Sequence, residues 1–241
     1  MKLPISEVFY SIQGEGSTMG IPSVFMRLGG CNLMCGGMGT QNDKDLHNRA
    51  TWRCDTIEVW MKSKRKNFED ILSIENIDHL KNRSHLIITG GEPLLHQAEI
   101  IQYLNWFYET YCFLPYVEIE TNGTISPFHE LNGLVAQYNC SPKLSNSGNA
   151  KNIFFNQNAI RAFDRKKTIF KFVVSGLNDW DEIKELYLPL IRRDSVWIMP
   201  AGENQTLLNQ NKQLVADLCK DNYLKYTTRL HIEIWNQKTG V

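Results

Sequence analysis

Three cysteines, Cys31, Cys35 and Cys54, share one polar, glycine-rich stretch, "GGCNLMCGGMGTQNDKDLHNRATWRCDT". Thiols that sit in a loop rather than in an apolar run are placed to be used, because free cysteine otherwise prefers burial. Glycines at 29, 30, 36, 37 and 39 let the main chain bend tightly and come close to a bound inorganic group. Three soft thiolates suit either zinc or an iron–sulfur cluster. A structural zinc wants a fourth ligand, for which His47 is the nearest candidate. A cluster on three thiolates instead leaves one iron open to a small molecule. The remaining reading is three unrelated loop cysteines. Cys112, Cys140 and Cys219 lie in or beside apolar periodic segments and read as packing residues.

The elements that must position this loop follow from periodicity. "ISEVFYSI" (5–12) and "PSVFMRL" (22–28) read as strands, "HLIITGG" (85–91) as a buried strand and "YVEIETNG" (116–123) as another. "GLVAQYNCSPK", "TIFKFVVSG" and "SVWIMPAG" continue the series, with "RLHIEIW" (229–235) as its last strand. Helical spacing runs through 68–82, 94–111, "WDEIKELYLPLI" and "NQTLLNQNKQLVADLCKD". Strands alternating with helices imply βα units around a parallel sheet. About six such units predict an α/β fold with a partial (β/α) barrel, an incomplete TIM-like barrel of parallel strands. Loops after the strands' C-terminal ends then carry the chemistry, and Cys31 follows such an end.

Length and charge narrow the classes further. The 241 residues, 42% hydrophobic, suffice for one core, so 1–241 reads as a single domain. Lys plus Arg equals Asp plus Glu at 26 each, which gives no global field for nucleic acid or an anionic membrane. The basic run "KSKRK" (62–66) reads as a solvated helix or loop edge. No apolar run approaches the roughly 18 residues of a membrane span, and the N-terminus lacks a secretory h-region. The expectation is a cytoplasmic protein, where clustered cysteines are ligands or catalysts rather than disulfides.

An ordered set of motifs covers almost the whole chain: "FYSIQGEGSTMGIPSVFMRLGGCNLMC", "CDT", "TGGEPLLH", "ETNGT", "SPKLSNSG", "KFVVSG" and "IWNQKTGV". This set resembles the radical S-adenosylmethionine (SAM) enzymes, and within them the 7-carboxy-7-deazaguanine synthase family of the queuosine and deazapurine pathway. The resemblance implies a [4Fe–4S] cluster on Cys31, Cys35 and Cys54, with SAM chelated to its open iron. It implies SAM contacts at Gly91 and Glu92, at Ser141, Pro142 and Lys143, and at Met199 and Pro200. A pterin substrate is implied at Ile12, Gln13 and Gly14, at Arg27, at Thr89 and at the terminal Val241. Arg27 would pair with the substrate carboxylate, a bidentate task that suits a guanidinium. Thr56 matches a Mg²⁺ ligand; Asp55 beside it reads as a supporting group or a turn residue.

The family spacing is CxxxCxxC, with an aromatic before the third cysteine. Here residues 36–53 separate Cys35 from Cys54 and Arg53 precedes Cys54, so 36–53 reads as an insertion in the cluster loop, with Trp52 standing for the aromatic. The resemblance also implies a homodimer, reduced by a flavodoxin or ferredoxin. Two alternatives stay open. One is another radical SAM enzyme, such as a glycyl-radical activating enzyme, against which "SIQGEG", Arg27 and "SPKLSNSG" argue. The other, from a different class, is a non-catalytic zinc-binding protein.

Overall fold

Alternating and apolar runs rich in β-branched and aromatic residues become strands, and in the computed structural model these strands join one sheet. Residues 1–37, 46–238 and 240–241 are described; Gly39, within the 36–53 insertion, and Thr239 of the terminal motif lie outside them. The strands are β1 (Lys2–Ile12), β2 (Pro22–Leu28), β3 (Lys64–Asn67), β4 (His85–Gly90), β5 (Val117–Thr121), β6 (Gln137–Cys140), β7 (Thr168–Val174), β8 (Val196–Pro200) and β9 (Lys225–Tyr226). Their order is β3-β1-β2-β4-β5-β6-β7-β8-β9. From β2 to β9 every neighbouring pair is parallel, and β1 runs antiparallel to both β2 and β3. Parallel neighbours need crossovers, supplied among others by helices Gln97–Tyr111, Leu177–Leu186 and Gln205–Asp221. The sheet does not close on itself, as expected of an incomplete barrel.

Strand alternation divides the interior from the helical layer. Val117 and Ile119, Tyr138 and Cys140, Phe170 and Phe172 are buried in the apolar cluster under the helices. Between them Glu118, Glu120, Asn139 and Lys171 point the other way, as a period of two requires. The barrel lumen is therefore polar, and its groups bond to one another.

Three expectations are corrected. "RLHIEIW" is not a strand: Leu230–Trp235 is a helix, and the last strand is the two-residue β9. Pairing with β8 stops at Tyr226, and the amide of Leu230 donates to Gly14 O (2.9 Å), turning the chain away from the sheet edge. Ile232 is then buried while Ile234 is half exposed, so the apparent alternation was helix phase. "KSKRK" is neither helix nor loop throughout, since Lys64–Asn67 pairs with Lys2–Ile5 as an edge strand whose charges face solvent and discourage further pairing. Cys140 and Cys219 are packing residues, but Cys112 is exposed at the left-handed C-terminus of helix Gln97–Tyr111.

The segment after β1 spans the gap that the sheet leaves. Gly14 O accepts from Leu230, and Gly16 N donates to Thr227 Oγ1 (2.8 Å), both beyond β9. Its next residues plug the end where β4 and β5 begin. Thr18 Oγ1 (2.9 Å) and Asn139 Nδ2 (2.6 Å) donate to Glu118 Oε2, and His85 Nδ1 lies 2.6 Å from Glu118 Oε1. With that end closed, access falls to the C-terminal ends of the parallel strands. Among the described residues no helix is long and apolar enough to cross a membrane.

A Cβ on Gly14 would lie 2.2 Å from His231 Nδ1, so the seam needs glycine here. Gly14→Ala should displace His231 and destabilise the protein by roughly 1–3 kcal/mol, the usual range for overpacking. Urea denaturation checks this; an unchanged midpoint would mean that the seam is slack.

Candidate active site at the C-terminal ends of the strands

β2 runs out at Leu28, and the glycines after it bring two loops into backbone contact. Gly30 O accepts from Glu92 N (2.9 Å), and a Cβ on Gly91 would lie 2.1 Å from that oxygen and 2.7 Å from Cys31 Cβ. No side chain fits there, so "GGC" and "GGEP" form one surface. Cys31 begins the thiol loop on it.

The structure brings the three expected ligands together. Cys54 N donates to Cys35 O (3.1 Å), which closes the 36–53 insertion at its base, and each of Cys31 and Cys35 lies within electrostatic reach of Cys54. The insertion's ends are fastened to the loop after β6: Gly36 N donates to Ser147 O and Thr51 N to Asn146 O, both 2.9 Å. Trp52 Nε1 donates to Asn146 Oδ1 (2.9 Å), and its ring faces Lys143 Nζ at 5.8 Å. Thr56 Oγ1 lies 3.5 Å from Cys54 Sγ. Burial pushes the Cys35 thiol up to about 11 and raises Cys31 as well, while the Lys143 cation pulls both down. Bound metal would supply the rest of that compensation.

Three cysteines held by separate parts of one loop are soft donors of the kind that an iron–sulfur cluster takes. Among the described residues no three His, Cys, Asp or Glu side chains are grouped to hold a single metal ion, and the His47 ring packs against Gly37.

The expected SAM contacts line the same strand ends. Ser141–Lys143 follow β6, with Ser141 N donating to Thr121 O (2.7 Å) and Lys143 Nζ donating to Ser141 O (2.8 Å). Met199 and Pro200 finish β8, and Met199 is buried. Glu92 is fully enclosed; Leu94 N (2.9 Å) and Thr121 Oγ1 (2.7 Å) donate to Oε1, and Asn122 N (2.6 Å) to Oε2. It thus fastens "GGEP" to the end of β5, and burial raises its pKa.

The expected substrate set is carried by β2, β4 and the end of β1. Arg27 and Thr89 are register partners on β2 and β4. Arg27 Nε donates to Glu7 Oε1 (2.7 Å), with its guanidinium 5.9 Å from the Phe9 ring centre. Thr89 Oγ1 (2.8 Å) and Gln13 Nε2 (3.3 Å) both donate to Glu120, which gathers them around one carboxylate beside Ile12 and Gly14. Val241, half-buried at the chain's end, is not joined to this group by these bonds.

Sequence reading missed Glu120 and a chain of charges. Glu15 pairs with Lys171 and, through Oε1, with Arg229 Nε (3.0 Å); Arg229 also pairs with Asp55, next to Cys54, and donates to Gly202 O (2.8 Å). Burial alone would raise Glu15, but Lys171, Arg229 and His231 hold it far below the usual carboxylate range. Burial and then Arg229 push His231 below the usual imidazole range. The signal available for Glu120 was the alternation of "VEIET"; for Arg229 there was none, because its segment read as a strand.

An open, mostly parallel α/β sheet with a three-thiol loop that starts just past the end of β2 has the fold and donor types that the radical SAM resemblance implies. No family model matches the chain. Proteins called 7-carboxy-7-deazaguanine synthase are similar along its length: that of Halobacterium salinarum is 30% identical, covering 97% of this chain and 91% of the relative. That of Pyrobaculum aerophilum is 31% identical (99% and 97%), and that of Clostridium acetobutylicum 31% (100% of both). The chain belongs to the 7-carboxy-7-deazaguanine synthase family. The crystal structure of QueE from Escherichia coli shares its fold, with a TM-score of 0.64 at 22% identity over 96% of this chain and 95% of that one.

Removing one member of a buried ion pair leaves its partners uncompensated, so Glu15→Gln should cost roughly 3 kcal/mol near neutral pH. Glu15's contribution is complete above its unfolded pKa near 4.5 and is lost as pH falls toward the much lower folded value. The stability gap between wild type and Glu15→Gln should therefore narrow between pH 6 and pH 3. Urea titrations at both pH values measure it; a gap independent of pH would contradict the assignment.

Proposed function

We propose that the chain acts as one radical SAM domain that converts 6-carboxy-5,6,7,8-tetrahydropterin to 7-carboxy-7-deazaguanine with loss of ammonia. This is a lyase step of queuosine and 7-deazapurine biosynthesis. The observation that supports the reading is one sheet that carries Cys31 just past the end of β2, with Arg27 on that same strand in register with Thr89, and Thr89 and Gln13 both bonded to Glu120. When bound, the [4Fe–4S] cluster and SAM would supply the radical chemistry that acts at C6 of the pterin.

The protein's own residues position and enclose. Cys31, Cys35 and Cys54 hold the cluster; the Gly91 surface receives SAM against bare backbone, supported by Ser141–Lys143 and Met199–Pro200. Arg27 takes the substrate carboxylate, and Gln13 with Thr89 presents amide and hydroxyl groups to the flat heterocycle beside Ile12 and Gly14. Val241 is the remaining residue that the family resemblance assigns to the substrate. Thr56 is the protein's ligand for Mg²⁺, a hard cation suited to hydroxyl and substrate oxygens. The plug formed by residues 13–18 keeps water from entering at the opposite end. The free thiols suit a reducing cytoplasm. Family resemblance adds a homodimer and a flavodoxin or ferredoxin as reductant.

The direct test is mass spectrometry of an anaerobic reaction with iron-reconstituted protein, dithionite, SAM, Mg²⁺ and 6-carboxytetrahydropterin. Carboxydeazaguanine that depends on SAM and pterin is expected. Deoxyadenosine without that product would assign another substrate, and absence of both would overturn the cluster assignment. Cys54→Ala should lose iron and SAM cleavage despite its distance from Cys35 in sequence. Arg27→Ala should keep its iron and raise the apparent KM for the pterin about ten- to a hundred-fold, the size of a lost charge-assisted hydrogen bond. An unchanged KM would remove Arg27 from the substrate site.

A further inference from the structure

The thiol cage has one side-chain amide within 3.5 Å of a sulfur among the described residues. Asn149 Nδ2 lies 3.4 Å from Cys35 Sγ, whereas Asn122 Nδ2 stands 4.0 Å from Cys31 Sγ and is already committed to Asn32 Oδ1 at 2.9 Å. Cys31 is served instead by a main-chain donor, Leu33 N at 3.4 Å, and Cys54 Sγ lies 3.5 Å from the Thr56 hydroxyl. Cys35 is also the most enclosed of the three.

The orientation of this amide is fixed from both sides. Its Oδ1 accepts from Met34 N (3.1 Å), a position that the NH₂ group could not occupy without facing a donor. Its Nδ2 also donates to Ser147 Oγ (3.1 Å), whose own proton goes to Leu144 O (2.7 Å). The hydroxyl therefore has no proton left for a flipped amide. Asn149 must aim its N–H at Cys35 Sγ. The same short loop holds both ends of the 36–53 insertion through Ser147 O and Asn146 O.

We infer that Asn149 is the positioning residue of the Cys35 ligand and that its N–H sets the reduction potential of the cluster; this rests on the radical SAM reading above. A hydrogen bond to a thiolate draws electron density from sulfur, which eases the one-electron reduction of the 2+ cluster to the 1+ cluster. Loss of the donor makes that electron harder to add.

The test is a redox titration of anaerobically reconstituted protein, with dithionite as electron source and the reduced cluster followed by electron paramagnetic resonance. Iron and sulfide are counted in each sample. Asn149→Leu should retain its iron and show a midpoint potential more negative than wild type. Asn149→Asp keeps the shape and the acceptor for Met34 N but puts an acceptor beside the thiolate, so its potential should fall further. Equal potentials in wild type and an iron-replete variant would overturn the inference and reduce Asn149 to a loop brace. Iron loss from both variants, with circular dichroism unchanged and wild type replete, would contradict the expected retention and overturn the claim that the N–H tunes the potential of a cluster that assembles without it. Failure of wild type to assemble any cluster would instead sink the radical SAM reading, and this inference with it.

Discussion

A guanidinium set between two carboxylates links parts of the chain that share no secondary structure. Arg229 lies past the last strand, Asp55 follows the third thiol, and Glu15 sits in the segment that plugs the barrel; Arg229 meets both acids, and Glu15 passes the charge on to Lys171 of β7. An open sheet has no ladder to close it, so its two edges must be tied by something else. The ion-pair chain does this, together with Leu230 N–Gly14 O and Gly16 N–Thr227 Oγ1. Charges so placed are specific: an unpaired one is costly, so the parts must meet in one arrangement.

The functional consequence follows from what the chain of charges touches. Asp55 adjoins Cys54, and Glu15 lies two residues from Gln13, which bonds to the Glu120 carboxylate that also holds Thr89. The thiol loop and the lumen floor are therefore parts of one charge-linked unit. At the other side of the mouth, glycine replaces charge as the constraint. Gly91 against Gly30 brings two strand ends to a distance that no side chain permits, and buried Glu92 fixes the second of them to β5.

Most of the sheet was legible because its signals are local. The run 22–28 became β2 without adjustment, and glycines after β2 and β4 marked the loops that carry the thiols and the SAM surface. The thiols were legible as a group because cysteine in a polar loop has few structural uses. What remained hidden depends on pairing across long sequence separations. Glu120 is an unremarkable strand acid until Thr89 and Gln13 are seen to donate to it. Residues 230–235 alternate like a strand, and only the missing partner beyond Tyr226 makes them a helix. Lys64–Asn67, too basic to suggest a strand, pairs because Lys2–Ile5 offers it an edge.

The claim that the thiol loop and the lumen floor are joined through Arg229 is tested most directly by a double-mutant cycle. Asp55→Asn, Glu15→Gln and the pair are compared by urea denaturation at pH 7. Because both acids act on one guanidinium, the two losses should not add: the coupling should exceed the roughly 0.5 kcal/mol within which independent sites agree. Additive losses would show that the two acids act separately, and the cage and the floor would then be independent parts of the fold.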